Sequence, residues 1–309
     1  LEQSSIINKP FQDLSIARDL SDIVTAGFTA MGPHFQTMTL GGRRIEVSGL
    51  RLGDASVEGM ILVLRDTTEL HRLERVRTDF VANASHELKT PISALRGFVD
   101  TVIDDTEMPA ETRRTFLVRS QQQIHRLASI VQDLLQLSRL DTGYSPDSDK
   151  TLVLSDVVHQ VHLTKITDAE MKQVQLICDT SPECQQHSIQ GRADDLALML
   201  SNLIDNAIKY SDHGGTVSLT LTMNGEGLIQ FNVTDQGVGI PAEEHDKIFE
   251  RFYRVDPARS RNKGGTGLGL SIVKHVVERY QGRIKLVSRP GQGASFSVTF
   301  PILQPDPTR

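Results

Sequence analysis

The chain has 309 residues, 38% hydrophobic and 23% charged, which excludes a disordered polypeptide and allows two or three domains with a sizeable core. A net charge of −6 gives no reason to expect nucleic acid as a partner. The two cysteines, Cys178 and Cys184, form neither a metal spacing nor a disulfide framework, which suits a reducing cytoplasm.

No apolar run approaches the roughly 18 residues needed to cross a bilayer, and no signal peptide is legible. Because the chain opens on Leu1, the expectation is a fragment whose membrane attachment would come only through segments absent from it.

Residues 1–68 read as a short α/β piece. A helical stretch near Ala17 to Thr29 precedes alternating segments around Phe35 to Leu40, Arg43 to Leu50 and Val57 to Asp66, punctuated by Gly41-Gly42 and Gly53-Asp54. From Glu69 to Ile103 one long helix is expected, then a polar turn over Asp104 to Pro109 and a second helix to about Leu140. On the first helix, at about 100° per residue, Phe80, Ala84, Leu88, Leu95, Phe98 and Val102 form an apolar stripe. On the second, Leu117, Ile124, Leu127, Val131 and Leu134 stand at seam spacing. A lone hairpin cannot bury both stripes, so pairing with a second copy into a four-helix bundle is expected.

Within the first helix lies Ser85-His86-Glu87-Leu88-Lys89-Thr90-Pro91. Pro91 has no N–H for the carbonyl of Glu87, so the helix is expected to weaken or bend one turn past His86. His86 falls away from the apolar stripe and should face solvent, with Thr90 one turn along on its own face. A lone surface histidine ordinarily has no task, so other motifs must supply one. Pro91 would let movement of the helix switch the arrangement of His86.

Residues 142–151 have linker chemistry without hydrophobic periodicity. Beyond them, helices near 155–171, 192–211 and 267–281 alternate with strand-like runs at 174–178, 216–222, 228–235, 283–288 and 294–300, a two-layer α/β domain. Its chemistry-bearing clusters suit a nucleotide. Asn202, Asn206 and Lys209, followed by Tyr210, share one helical edge, where an amide oxygen can ligate Mg²⁺ and a lysine can meet phosphate. Asp235-Gln-Gly237-Val-Gly239-Ile240-Pro241 follows an apolar strand: a tight turn, or a carboxylate placed to accept from an adenine amino group beside glycines that let the base approach. Gly264-Gly265-Thr266-Gly267-Leu268-Gly269-Leu270 leads into a helix whose N-terminal N–H groups suit phosphates, and it has neither Rossmann nor P-loop spacing. Between the last two, Phe249-Glu-Arg-Phe252-Tyr253-Arg254 is followed by a basic stretch with Arg259, Arg261 and Lys263 that reads as a lid attracted to triphosphate. Phe249 and Phe252 are either core residues or docking points for that lid.

In this order the motifs resemble those of sensor histidine kinases of the phosphate-regulon and cell-wall sensor type, over nearly the whole chain. Phe80 to Pro91 is similar to the family's phospho-acceptor motif, Asn202 to Tyr210 to its N box, Asp235 to Ile240 to its G1 box, Phe249 to Arg254 to its F box and Gly265 to Leu270 to its G2 box. Residues 59–69 resemble the last strand and exit of a PAS sensor domain, with earlier strands missing. The resemblance implies a multidomain α+β protein: a truncated PAS-like module over 1–68, a dimeric helical hairpin over 69–141, a linker over 142–151, and an ATP-binding domain of the GHKL type over 152–309.

It further implies that His86 is phosphorylated by ATP with Mg²⁺, with Glu87 as base, Asn206 as metal ligand and Asp235 as adenine reader. Asn202, Lys209, Tyr210 and Arg254 would contact phosphates or metal. Gly237, Gly239, Ile240, Tyr253, Gly265, Thr266, Gly267, Leu268, Gly269 and Leu270 complete the nucleotide site. Phospho-His86 would pass its phosphoryl group to an aspartate of a response regulator receiver domain, and Thr90 would orient water for dephosphorylating that regulator. The resemblance implies a homodimer, the cytoplasmic part of a membrane-anchored bacterial protein. Two readings compete: an idle dimeric scaffold that binds a regulator, which the intact His86, Asn206 and Asp235 argue against, and a chaperone-type or topoisomerase-type ATPase, which has no need of a histidine on a hairpin.

Overall fold

The computed structural model describes residues 20–25, 34–52, 59–141, 151–224, 228–256 and 265–301. The expected Gly53-Asp54 turn, residues 142–150 of the linker, and the lid residues Arg259, Arg261, Lys263 and Gly264 lie outside the described residues. The chain divides into two compact units, 1–84 and 85–309.

In the first unit, β1 (His34–Leu40), β2 (Arg43–Leu52) and β3 (Gly59–Asp66) form an antiparallel sheet in the order β1-β2-β3. Gly41 and Gly42 join the first two strands with φ of 56° and 78°, the left-handed values a two-residue hairpin turn requires and the reason two glycines stand there. Residues 20–25 are helical, and Leu20 and Ile23 pack against Ile45 and Val47. Asp66 caps the helix that follows: its Oδ1 accepts the Thr68 N–H at 3.0 Å. Hydrogen bonds from Thr68, with Arg43 nearby, hold its carboxyl below the usual range.

That helix, α1 (Thr68–Asp104), stays helical through Pro91, where a weakened stretch was expected. Pro91 is the buried residue of the helix, and Thr90 Oγ1 donates to the carbonyl of His86 at 3.1 Å. Packing of the ring in place of exposing it offsets the missing N–H.

In the second unit, a turn at 105–109 leads to α2 (Ala110–Asp141). Phe98 meets Phe116 across the hairpin with ring centroids 5.9 Å apart, and the α1 stripe (Leu88, Leu95, Phe98, Val102) is half-buried. The α2 seam divides differently from its expected spacing. Leu127 and Leu134 are half-buried, whereas Leu117, Ile124 and Val131, one heptad apart, are 54%, 53% and 45% exposed. Ile92, Val99 and Ile103 on α1 are exposed as well. Each helix therefore has one apolar face used within the chain and another left uncovered.

Beyond β4 (Thr151–Val153), the chain forms α3 (Leu154–Met171), β5 (Gln175–Thr180), β6 (Ser188–Gln190), α4 (Ala193–Tyr210), β7 (Thr216–Met223), β8 (Ile229–Thr234), α5 (Gly269–Arg279), β9 (Arg283–Ser288) and β10 (Ala294–Phe300). A five-stranded sheet runs β5-β7-β8-β10-β9, parallel only between β5 and β7. A small pair, β4 with β6, had no sequence signal because each strand has only three residues. Alternate residues of β7, β8 and β10, among them Leu219, Phe231 and Val298, are buried beneath α3, α4 and α5. On α4, Leu196, Leu200, Leu203, Ile204 and Ala207 are buried, which leaves Asn202, Asn206 and Lys209 on the face away from the sheet core. Ile130, Leu137 and Leu140 of α2 are also buried, and α2 contacts α5.

The loop before β10 sets Asp235. Gly293 has φ 74°, and a Cβ there would lie 2.0 Å from the carbonyl oxygen of Asp235. Gly293→Ala is expected to destabilise the fold by about 1–3 kcal/mol through the left-handed conformation alone, with more from the clash. Urea unfolding measures this; an unchanged midpoint would contradict it.

Candidate functional site: a nucleotide cavity beside the helical hairpin

A cavity of about 560 Å³ opens between α4, the segment after β8, the start of α5 and the second hairpin helix, within the roughly 300–1,000 Å³ typical of small-molecule sites. Asn202, Asn206, Lys209, Tyr210, Asp235, Gly239, Ile240, Tyr253, Arg254, Gly265, Thr266, Gly267, Gly269 and Leu270 all line it. The sequence clusters, up to 68 residues apart, thus converge because α4 and α5 pack together and β8 delivers Asp235 at its end.

Asp235 is 7% exposed. Its Oδ1 accepts the N–H groups of Gly237 at 2.8 Å and Ala294 at 3.3 Å, which fixes the carboxylate and leaves its second oxygen for a ligand. Burial pushes the Asp235 carboxyl above the usual range, and the two backbone N–H groups oppose that shift. Asn202 Nδ2 donates to the Leu198 carbonyl at 2.9 Å, and Gly269 is placed so that a Cβ would lie 2.6 Å from Asn202 Oδ1. This glycine lets the amide sit at the first turn of α5. Lys209 Nζ lies 5.3 Å from the Tyr210 ring centroid.

Gly267 has φ 78°, and a Cβ would come within 2.8 Å of the Phe252 backbone, whose N–H donates to the Gly267 carbonyl at 2.8 Å. Phe252 itself has φ 65°, so the two motifs interlock through backbone that side chains resist. Phe249 packs edge-on against Phe296 of β10, centroids 6.4 Å apart, which is the core role. Tyr253 donates its hydroxyl to Glu244, and that bond pushes its phenol up to about 12.

Two of the expected nucleotide residues do not line the cavity. Gly237 turns its N–H to Asp235, and Leu268 is fully buried beneath the loop. His86, Glu87 and Thr90 also stand outside the lining. His86 is exposed on α1. Glu87 nevertheless reaches the cavity wall: Arg254 Nη2 donates to Glu87 Oε2 at 2.9 Å and to the Thr266 carbonyl at 3.0 Å.

The sequence reading missed two contributions from the hairpin, Ser129 and Asp133. Asp133 Oδ2 accepts the Thr266 hydroxyl at 2.6 Å, while burial raises its carboxyl above the usual range. Neither residue has a local signal, since each belongs to a helix read only for its apolar seam. Asp205 lines the cavity too and pairs with Lys165 at 2.6 Å; its place between Asn202 and Asn206 was the available clue. Val238, Pro241, Ile248, Pro290, Ala294 and Phe296 provide apolar wall.

For a divalent cation, the donors at this edge are the Asn206 amide and the Asp205 carboxylate, hard oxygens of the type Mg²⁺ prefers. Among the described residues no cluster of three or more His, Cys, Asp or Glu stands ready to hold a metal ion. Asn206 and Asp205 are the residues that would hold such an ion.

Comparison with known proteins gives the same order of parts. Residues 76–143 match the His Kinase A (phospho-acceptor) domain, and residues 191–304 match the histidine kinase-, DNA gyrase B- and HSP90-like ATPase family. The chain is 40% identical over 248 residues to the sensor-like histidine kinase SenX3 of Mycolicibacterium smegmatis, covering 80% of this chain and 63% of that protein. It is 34% identical over 240 residues to the phosphate regulon sensor protein PhoR of Pseudomonas aeruginosa, covering 78% and 53%. The chain therefore spans roughly half to two-thirds of the length of these relatives. A crystal structure of the histidine kinase ThkA in complex with response regulator protein TrrA shares the fold, with a TM-score of 0.56 at 20% identity over 97% of this chain and 88% of that one. With its phospho-acceptor hairpin followed by its ATPase domain, this chain belongs to the sensor histidine kinase family.

Proposed function

We propose that the chain is an ATP-dependent histidine autokinase that phosphorylates His86 and passes the phosphoryl group to an aspartate on a response regulator. The observation that carries this reading is the Glu87–Arg254 contact, which joins the residue beside an exposed histidine to the wall of a nucleotide-sized cavity. The Asp235 carboxylate accepts from the adenine amino group. Asn202, Lys209, Tyr210 and Arg254, with the backbone of Gly265 to Leu270 at the start of α5, hold the phosphates. Asn206 would hold Mg²⁺, which would supply charge neutralisation at the phosphates. Glu87 takes the imidazole proton, the ring nitrogen bonds the γ-phosphorus, and the bond to the bridging oxygen breaks. Such a transfer asks the protein for positioning and charge more than for covalent chemistry.

The uncovered faces of α1 and α2 support a homodimer that closes a four-helix bundle. We assign residues 1–68 to a PAS-like sensor module, 69–141 to the hairpin, 142–151 to a linker and 152–309 to the ATP-binding domain. The three-stranded sheet with helical residues packed on it supports the first assignment. Among the described residues no helix is long and apolar enough to cross a membrane. Thr90 keeps its oxygen lone pairs while donating to the His86 carbonyl, which supports a role in orienting water during dephosphorylation of the regulator.

Incubation with Mg²⁺ and γ-labelled ATP is expected to give acid-labile, base-stable label that His86→Ala abolishes; label that survives this change would refute the mechanism. Asn206→Asp is expected to abolish labelling through altered metal geometry. Thr90→Ala should spare labelling yet slow regulator dephosphorylation, and equal loss of both activities would remove its separate role. For Asp235, the ionised form is the stronger acceptor for the adenine amine. Nucleotide affinity should thus be full above the raised pKa and fall as pH drops through it, beginning at higher pH than an ordinary carboxylate would allow. Titration calorimetry with an ATP analogue checks this; Asp235→Asn should weaken binding about 10- to 100-fold and flatten the dependence.

A further inference from the structure

Glu87 is met from two sides. Arg254, on the ATP-binding part, donates Nη2–H to its Oε2 at 2.9 Å, and Arg126, on α2, donates Nη2–H to the same oxygen at 3.1 Å. The Arg126 side chain is only 11% exposed, and its Nε is buried without a hydrogen-bond partner. Removing an arginine from water is costly, and Glu87 is the acidic group that offsets this cost. Arg126 does not line the nucleotide cavity.

The two arginines are not equivalent. Arg254 also holds the Thr266 carbonyl and lines the cavity, so phosphates of a bound nucleotide would compete with Glu87 for its guanidinium. Arg126 and Glu87 belong to the same hairpin, so their contact does not depend on that competition. Both guanidinium groups converge on Oε2, which leaves Oε1 as the oxygen able to take a proton.

We propose that Arg126 is a positioning residue for Glu87: it holds Oε2 so that Oε1 faces the imidazole N–H of His86 once Arg254 has turned to the nucleotide. The inference rests on the autokinase reading. In the step concerned, the imidazole proton moves to Glu87 Oε1, the ring nitrogen bonds the γ-phosphorus, and the β,γ-bridging oxygen leaves with its electron pair on ADP.

The test measures single-turnover labelling of His86 against ATP concentration and pH in the full chain, for the unmodified protein, Arg126→Ala, Arg126→Lys, Glu87→Gln and the double variant Arg126→Ala/Glu87→Gln. Arg126→Ala is expected to lower the labelling rate constant about 10- to 100-fold while leaving half-saturation by ATP within about twofold. Arg126→Lys should recover part of the rate with a displaced pH profile. In the Glu87→Gln background, Arg126→Ala should cost nothing further. An unchanged rate in Arg126→Ala, or an equal loss with and without Glu87, overturns the proposal, because a merely structural arginine behaves in that way. Should Arg126→Ala fail to fold, Arg126→Lys decides: an unaltered rate and pH profile overturn the proposal. Absence of label in the unmodified chain overturns the autokinase reading and this proposal with it, whereas label that ignores Arg126 overturns only the proposal.

Discussion

One carboxylate oxygen, Oε2 of Glu87, accepts from Arg126 at 3.1 Å and from Arg254 at 2.9 Å, with the arginine side chains only 11% and 7% exposed. Charged hydrogen bonds of this kind gain strength from a surrounding that holds little water, and the same surrounding makes the loss of any partner costly. The contact ties the hairpin to the wall of the nucleotide cavity. Asp133 reinforces that tie by accepting the Thr266 hydroxyl. On the next residue, His86 stays exposed while its neighbour is turned inward, because consecutive helical positions lie about 100° apart.

The cavity itself depends on close backbone approach. The loops carrying Asp235, Gly239 and Gly267 pass so near other main-chain segments that side chains at the crossing points would collide with them. Asp235 is thereby held with one oxygen satisfied by backbone N–H groups and burial raising its affinity for a proton. A group so fixed recognises a hydrogen-bond donor at little further entropic cost. The start of α5 faces the same space, and its free N–H groups favour negative charge.

The proposed homodimer rests on the division of the apolar residues. Within the chain the hairpin uses one face of each helix, Phe98 against Phe116 on one side and Ile130 and Leu137 toward the ATP-binding part on the other. Leu117, Ile124 and Val131 remain as a heptad stripe exposed to water. In the proposed homodimer a second copy would cover this stripe.

The sequence by itself determined the elements and most of the residues that gather at the cavity. The two long hairpin helices follow from apolar periodicity, the strands of the sheet from alternation, and the clusters that line the cavity from short local patterns of Asn, Asp and Gly. Pro91 lies inside a continuous helix, and the burial of its ring is a tertiary matter that local propensity does not carry. Only the tertiary structure decided that Ser129 and Asp133 of the hairpin complete the cavity, that Leu268 is core, and that Arg126 reaches Glu87 across 39 residues. Those contacts join residues from separate elements, and no local pattern encodes a distance between two faces that meet only after packing.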